Sequence, residues 1–231
     1  MIDFFCIYKK NDERSTRLAN EAIQSGKKYN INVHLHEGVY SNIDGIMKDE
    51  GLVVNHWGKQ KIRAIGVLGC FLSHYTLWKK CIDLNKPIGV LEYDAYFINS
   101  LPDNFLNSFK DYCNLDYTRH LYYGTGKELY LQNLEYDKPI TIHPLEERAP
   151  EKRGSFKHMN NNHIKGAFGY VIKPSGATKL VTASKEFGIL PADVQPNLNY
   201  CNVYYTTPSV VMLNMNSLYD RFSHTQTDQT E

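Results

Sequence analysis

The sequence has no disulfide framework and no paired-cysteine metal site. Its five cysteines (Cys6, Cys70, Cys81, Cys113 and Cys201) are odd in number, scattered, and nowhere spaced C-x-x-C. That pattern predicts reduced thiols in a cytosolic compartment. The sequence also lacks an excess of either charge: 26 Lys and Arg stand against 25 Asp and Glu, a formal net charge of +1. No overall positive field would hold the chain on nucleic acid or an anionic membrane, so any such binding must rest on a local patch. No apolar run approaches the roughly 20 residues of a membrane-spanning helix. The opening MIDFFCIYKKNDERS has no basic stretch ahead of its apolar run and reads as a first strand, not a leader. Internal repeats and linkers are missing as well. The expectation is one cytoplasmic domain over residues 1–231, membrane-peripheral at most, of unspecified oligomeric state.

What is present is an ordinary folding chain, 42% hydrophobic and 22% charged, and its 231 residues are ample for a core. Its 17 tyrosines against 2 tryptophans suit either sugar and base recognition or plain core filling. Ile2–Tyr8 predicts a strand, Ser15 to Lys28 a helix and Asn32–His36 a second strand, the opening of a nucleotide-binding α/β sheet. Tyr40 to Gly58 is polar and reads as a loop or irregular helix. From Ile62 to Leu84 the period is helical, with Val67, Phe71, His74, Trp78 and Ile82 on one face. Gly66 and Gly69 cost helix propensity there, which points to close approach of backbone or ligand. Ile88–Leu91 is wholly apolar, as a buried parallel strand should be. Further strands are expected at His120–Tyr123, Ile140–His143 and Gly166–Ile172, and a helix from Pro174 to about Ala183. Glu146–Lys165, basic and amide-rich without periodicity, reads as a mobile loop.

The candidate chemistry begins with Glu92 and Asp94, two carboxylates just past a strand end, where ligands of open α/β sheets bind. They are either hard oxygen ligands for a divalent cation on a diphosphate or two solvated acids. On an extended backbone both would point to one side and Tyr93 to the other. His74 is either a core histidine or a catalyst, and Ser73 either meets a ligand or bonds back to its helix. His34 and His36 alternate on one strand face, a pair without a third metal ligand. Asp193, after Leu190-Pro191-Ala192, is either a general base on a rigid turn or a helix N-cap. Lys152, Arg153, Lys157, His158, His163 and Lys165 are either phosphate contacts or a solvated surface.

Gly66-x-x-Gly69-Cys70-x-Leu72-Ser73-His74, then Trp78 and Val90-Leu91-Glu92-Tyr93-Asp94, form one block. Gly169-Tyr170-Val171-Ile172, Gly176-Ala177, Lys179-Leu180 and Pro191-x-Asp193 follow in order. Together they resemble the family 25 glycosyltransferases of the bacterial lipooligosaccharide galactosyltransferase type. The resemblance runs from the first strand to about Asp193. It implies a GT-A fold with a single Rossmann-like sheet flanked by helices, a donor half at about 1–125 and an acceptor half at about 126–231. It also implies a UDP-sugar donor, a divalent metal (Mn²⁺ or Mg²⁺) and an inverting displacement at the anomeric carbon. On that reading Glu92 and Asp94 hold the metal, Asp94 and Asp193 are catalytic, and Tyr8, Arg14, Gly66, Gly69, Ser73, His74, Glu92 and Tyr93 surround the donor. The family usually carries Glu-Asp-Asp, and Tyr93 takes the middle place here. The family's usual acceptor is a cell-surface glycan. A second acceptor class is hydroxymethylated bases of phage DNA, in a host cytoplasm, with Lys152, Arg153, Lys157 and His158 meeting it. A third reading is a catalytically dead module that binds sugar nucleotide or glycan.

Overall fold

The computed structural model describes residues 2–55, 65–122, 127–146 and 162–214. The chain opens as β1 (Asp3–Tyr8), α1 (Glu13–Lys28) and β2 (Asn32–Glu37). The Asp12 carboxylate accepts from the backbone N–H of Ser15 at 2.7 Å and so caps α1. Leu18, Ala19, Ala22 and Gly26 form its buried face. α2 (Ile43–Asp49) lies within the stretch read as a loop or irregular helix, followed by α3 (Ile65–Leu84), β3 (Ile88–Glu92) and β4 (Ala95–Phe97). Then come β5 (Tyr112–Asn114), α4 (Tyr117–Tyr122), α5 (Lys127–Gln132), β6 (Thr141–Pro144), β7 (Gly169–Ile172), α6 (Pro174–Phe187), β8 (Val203–Thr207) and β9 (Val211–Leu213).

Seven strands form one mixed sheet in the order β2-β1-β3-β7-β5-β8-β6. β1, β2 and β3 run parallel, β7 lies antiparallel between β3 and β5, and β8 runs parallel to β5. β1, β3, β5 and β8 therefore share a direction, and Tyr8, Glu92, Asn114 and Thr207 end at one edge. β4 and β9 make a small second sheet that continues from β3. One apolar cluster lies under α3 and α6 around Trp78, Tyr75, Phe71 and Tyr170, and another lies on the opposite face around Phe4, Phe97 and Val171. This is the Rossmann-like, GT-A type α/β architecture expected from the sequence.

The predicted strand at His120–Tyr123 is a correction, since Tyr117–Tyr122 is helical. Its paired tyrosines favour a strand, but Asp116 accepts from the N–H of Arg119 at 3.0 Å and caps a helical turn there. α3 is buried on more than a stripe, with Leu72, Ser73, Tyr75 and Leu77 as inaccessible as Phe71, His74 and Trp78. At Gly69 a side chain would place its Cβ 2.5 Å from the carbonyl oxygen of Val39. Only glycine lets the segment after β2 close on the helix at that point.

Asp111 joins three elements. It accepts from Lys179 Nζ at 2.6 Å, Ser175 Oγ at 2.8 Å, and Asn202 N at 2.9 Å and Nδ2 at 2.6 Å. Burial works against its ionisation, yet Lys179, Asn202 and Ser175 outweigh that and hold the carboxyl down at about 2, against an ordinary 3.8. A folded-state value below the unfolded one contributes stability above pH 4 or so, and that contribution is lost as pH falls toward about 2. Asp111→Asn should therefore cost about 2 kcal/mol at neutral pH and flatten the loss of stability in acid. Urea denaturation of both forms at pH 7 and pH 3 checks this; parallel pH profiles would contradict it.

Candidate active site

The site is built on the edge where β1 and β3 end. Tyr8 closes β1, and its carbonyl accepts from the N–H of Gly38 at 2.9 Å. Arg14 lies in the first turn of α1, and its charge favours ionisation of the Tyr93 phenol. Burial first, then the charges of Asp94 and Glu92, still push that phenol well above its ordinary value. Tyr40 is driven the same way by burial and by its neighbours Cys70 and Glu92. Cys6 and Cys70 are pushed up by burial, and both also feel the charge of Glu92 and Asp94. Cys70 feels Asp193 as well, so the three carboxylates act on one locality.

Glu92 is the last residue of β3, and its side chain is 31% exposed. Its Oε1 lies 3.3 Å from Nε2 of His74 and 3.9 Å from Sγ of Cys70, both on α3. His74 Nδ1 lies 2.9 Å from the hydroxyl of Tyr170 on β7, and that oxygen accepts from Trp78 Nε1 at 2.9 Å. Asp94 sits on a turn, not on the strand, so the extended alternation expected to carry both carboxylates to one side ends at Glu92. The turn lets Ala95 begin pairing with β9, and the N–H of Asn214 donates to the Asp94 carbonyl at 2.6 Å.

Asp193 is half-buried on a turn in which the N–H groups of Val194 and Gln195 donate to the Pro191 carbonyl at 2.8 and 3.0 Å. Its Oδ2 accepts from the N–H of Gly166 at 3.4 Å, and among the described residues after it no helix follows for it to cap. Ser73 bonds back to its helix: Oγ donates to the Gly69 carbonyl at 2.7 Å and accepts from Val39 N–H at 2.8 Å. Gly66 lies in the first turn of α3. His34 and His36 have separate partners, Asp3 at 3.2 Å and Thr76 at 3.3 Å. Lys152, Arg153, Lys157 and His158 lie outside the described residues. At the margin of that segment His163 pairs with Asn197, and the N–H of Lys165 donates to His120 at 3.2 Å.

Two donor sets for a metal overlap here. Among the described residues, Cys70, His74 and Glu92 bring sulfur, nitrogen and oxygen within 4.8 Å of one another. That mixture suits zinc better than Mn²⁺ or Mg²⁺. Glu92 at the end of β3 and Asp94 on the turn after it supply hard oxygens. Those carboxylates fit a hard divalent cation. Cys70 was passed over in the sequence, although its spacing of four from His74 on a helix was a usable signal. Tyr40, on an irregular segment, gave none.

A Rossmann-like sheet with acidic side chains gathered at its carboxyl edge is the framework of a glycosyltransferase. Residues 5–195 match the family described as Glycosyltransferase family 25 (LPS biosynthesis protein), and the chain belongs to that family. It is 30% identical over 132 residues to Procollagen galactosyltransferase 2 of Homo sapiens, spanning 55% of this chain and 18% of that protein. The Mus musculus protein of the same name is 28% identical over 130 residues. Procollagen lysyl hydroxylase and glycosyltransferase of Acanthamoeba polyphaga mimivirus is 26% identical over 208 residues, 85% of this chain and 21% of that protein. The chain thus covers about a fifth of the length of these relatives. Among the described residues no helix is long and apolar enough to cross a membrane.

Proposed function

We propose that this glycosyltransferase moves a sugar from a UDP-sugar to a hydroxyl of a cell-surface glycan, with inversion at the anomeric carbon. The observation that carries this reading is Glu92 at the carboxyl end of β3, held against α3, with Asp94 on the turn that follows, within the family match. Glu92 and Asp94 would hold Mn²⁺ or Mg²⁺, which supplies countercharge for the departing diphosphate. Asp193 takes the proton of the acceptor hydroxyl as its oxygen bonds to the anomeric carbon and the bond to UDP breaks. Tyr8, Arg14 and Tyr93 face the donor. Gly66, Gly69, Ser73 and His74 support that pocket from α3, and the acceptor approaches from the half at about 126–231.

The relatives' names make galactose the first sugar to try, and the family's description makes a lipopolysaccharide the first acceptor. The test offers a panel of UDP-sugars with Mn²⁺ and two acceptors, lipooligosaccharide and hydroxymethylcytosine DNA, and reads product by mass. Addition of a hexose to the glycan is expected. Transfer to DNA alone, weakened by salt and by charge reversal at Lys152, Arg153 and Lys157, would move the assignment to the nucleic acid. A folded protein that modifies neither acceptor and hydrolyses no UDP-sugar would sink the reading.

A further inference from the structure

We infer that His74 is a positioning residue for Glu92, fixed in its Nε2–H tautomer by a buried chain from Trp78 through Tyr170. The inference rests on the proposed role of Glu92 at the cation and the diphosphate. An indole N–H can only donate, so at the bond between Trp78 Nε1 and Tyr170 Oη the tyrosine oxygen is the acceptor. Tyr170 has one proton of its own, and its other partner, at 2.9 Å, is Nδ1 of His74. Trp78, Tyr170 and His74 are each 0% exposed. If Nδ1 carried the proton, Tyr170 would accept twice and its own hydrogen would be buried without an acceptor, the costlier arrangement. The hydroxyl therefore donates to Nδ1, and Nε2 carries the ring proton toward Glu92 Oε1 at 3.3 Å.

Ring packing holds the direction. His74 stacks on Tyr170 at 5.7 Å between centroids, and Tyr170 stacks on Tyr112 at 4.7 Å. The Cys70 thiol reaches the same Oε1 at 3.9 Å. Oε1 is thus committed to α3, and Oε2 of this partly exposed carboxylate is the oxygen offered to a ligand. This tautomer has no lone pair at Nε2 and removes His74 from the sulfur–nitrogen–oxygen metal set. Such outer partners orient a ligating carboxylate and tune its affinity for a metal.

Long-range ¹H–¹⁵N NMR of the metal-free protein reads the tautomer directly. The ring signals that vanish in His74→Gln are expected to show an unprotonated Nδ1 and a protonated Nε2, and the reverse pattern would overturn the inference. Tyr170→Phe should give a mixture of the two forms; an unchanged ring in that variant would overturn it too. Glutamine keeps an N–H near the place of Nε2. Mn²⁺ affinity by electron paramagnetic resonance should therefore stay within about 3-fold of wild type in His74→Gln and fall about 10- to 100-fold in His74→Leu. Equal losses in the two folded variants would count against positioning. Titration with Co²⁺ should develop no thiolate-to-cobalt absorption, and such a band would restore the Cys70–His74–Glu92 metal set instead. Wild-type protein with the Nε2–H form but no Mn²⁺ binding would support the chain from Trp78 to Glu92 and sink the cation site alone.

Discussion

Asp94→Ala is expected to lower transfer by about 10³-fold or more while leaving the fold intact, since several kcal/mol of charge stabilisation depend on the groups around the diphosphate. The fold should survive because the strand pairing around Asp94 is made by backbone. Its carbonyl accepts from Asn214 N–H, and Ala95–Phe97 pairs with Val211–Leu213 whatever the side chain at position 94. The side chain belongs to neither apolar cluster. After burial, its charge adds to what pushes Cys6, Cys70 and Tyr93 up. Asp94→Asn keeps the shape and loses the charge, so it should fall nearly as far. Turnover and thermal denaturation of wild type and both variants check this together. Full activity in either variant removes Asp94 from the site, whatever becomes of Glu92.

Tyr93 bears on the same point. In the family pattern an acid stands between the two carboxylates, and in this chain the middle residue is a phenol driven well above its ordinary value by burial and by its acidic neighbours. It keeps its proton, so it brings no charge to a cation. Glu92 at the strand end and Asp94 on the following turn are left as the carboxylates of the motif, which is why the effect at Asp94 should be large.

The parts of this fold that were legible in the sequence are those with local period. β1, α1, β2, α3 and β3 follow from alternation, apolar runs and helical spacing, and α6 opens at Pro174 as its sequence suggests. β4, β5 and β9 are three residues each, too short for a pattern, and β5 finds its partner β8 some ninety residues away. β7 was readable as a strand, but its antiparallel insertion between β3 and β5 was not, because register is settled by tertiary pairing. α4 shows a cap overriding β propensity at Tyr122. At the site, Glu92, Asp94 and Asp193 came from resemblance and placement. The link from Trp78 and His74 to Tyr170 joins side chains 92 and 96 positions apart, and a hydrogen bond at that distance leaves no periodic trace.

Asp193→Ala should slow transfer by about 10²- to 10⁴-fold, the usual loss when a positioned acid–base group is removed. Binding of Mn²⁺ and of the UDP-sugar should stay near wild type, because Glu92 and Asp94 remain. The turn that carries Asp193 does not depend on its carboxylate. Two backbone bonds to the Pro191 carbonyl close it, and Gln195 Oε1 accepts from Leu190 N–H at 2.9 Å to brace it from inside. Among the described residues, the variant forfeits the 3.4 Å bond from Gly166. kcat should therefore fall with little change in the donor KM, the pattern of an interaction made in the transition state alone. Added formate, a small carboxylate able to enter the space left by the side chain, should restore part of the rate in Asp193→Ala and none in Asp94→Ala. Normal turnover in Asp193→Ala would take the base assignment away. A loss confined to donor affinity would make Asp193 a binding residue, leaving proton removal to another group at this edge of the sheet.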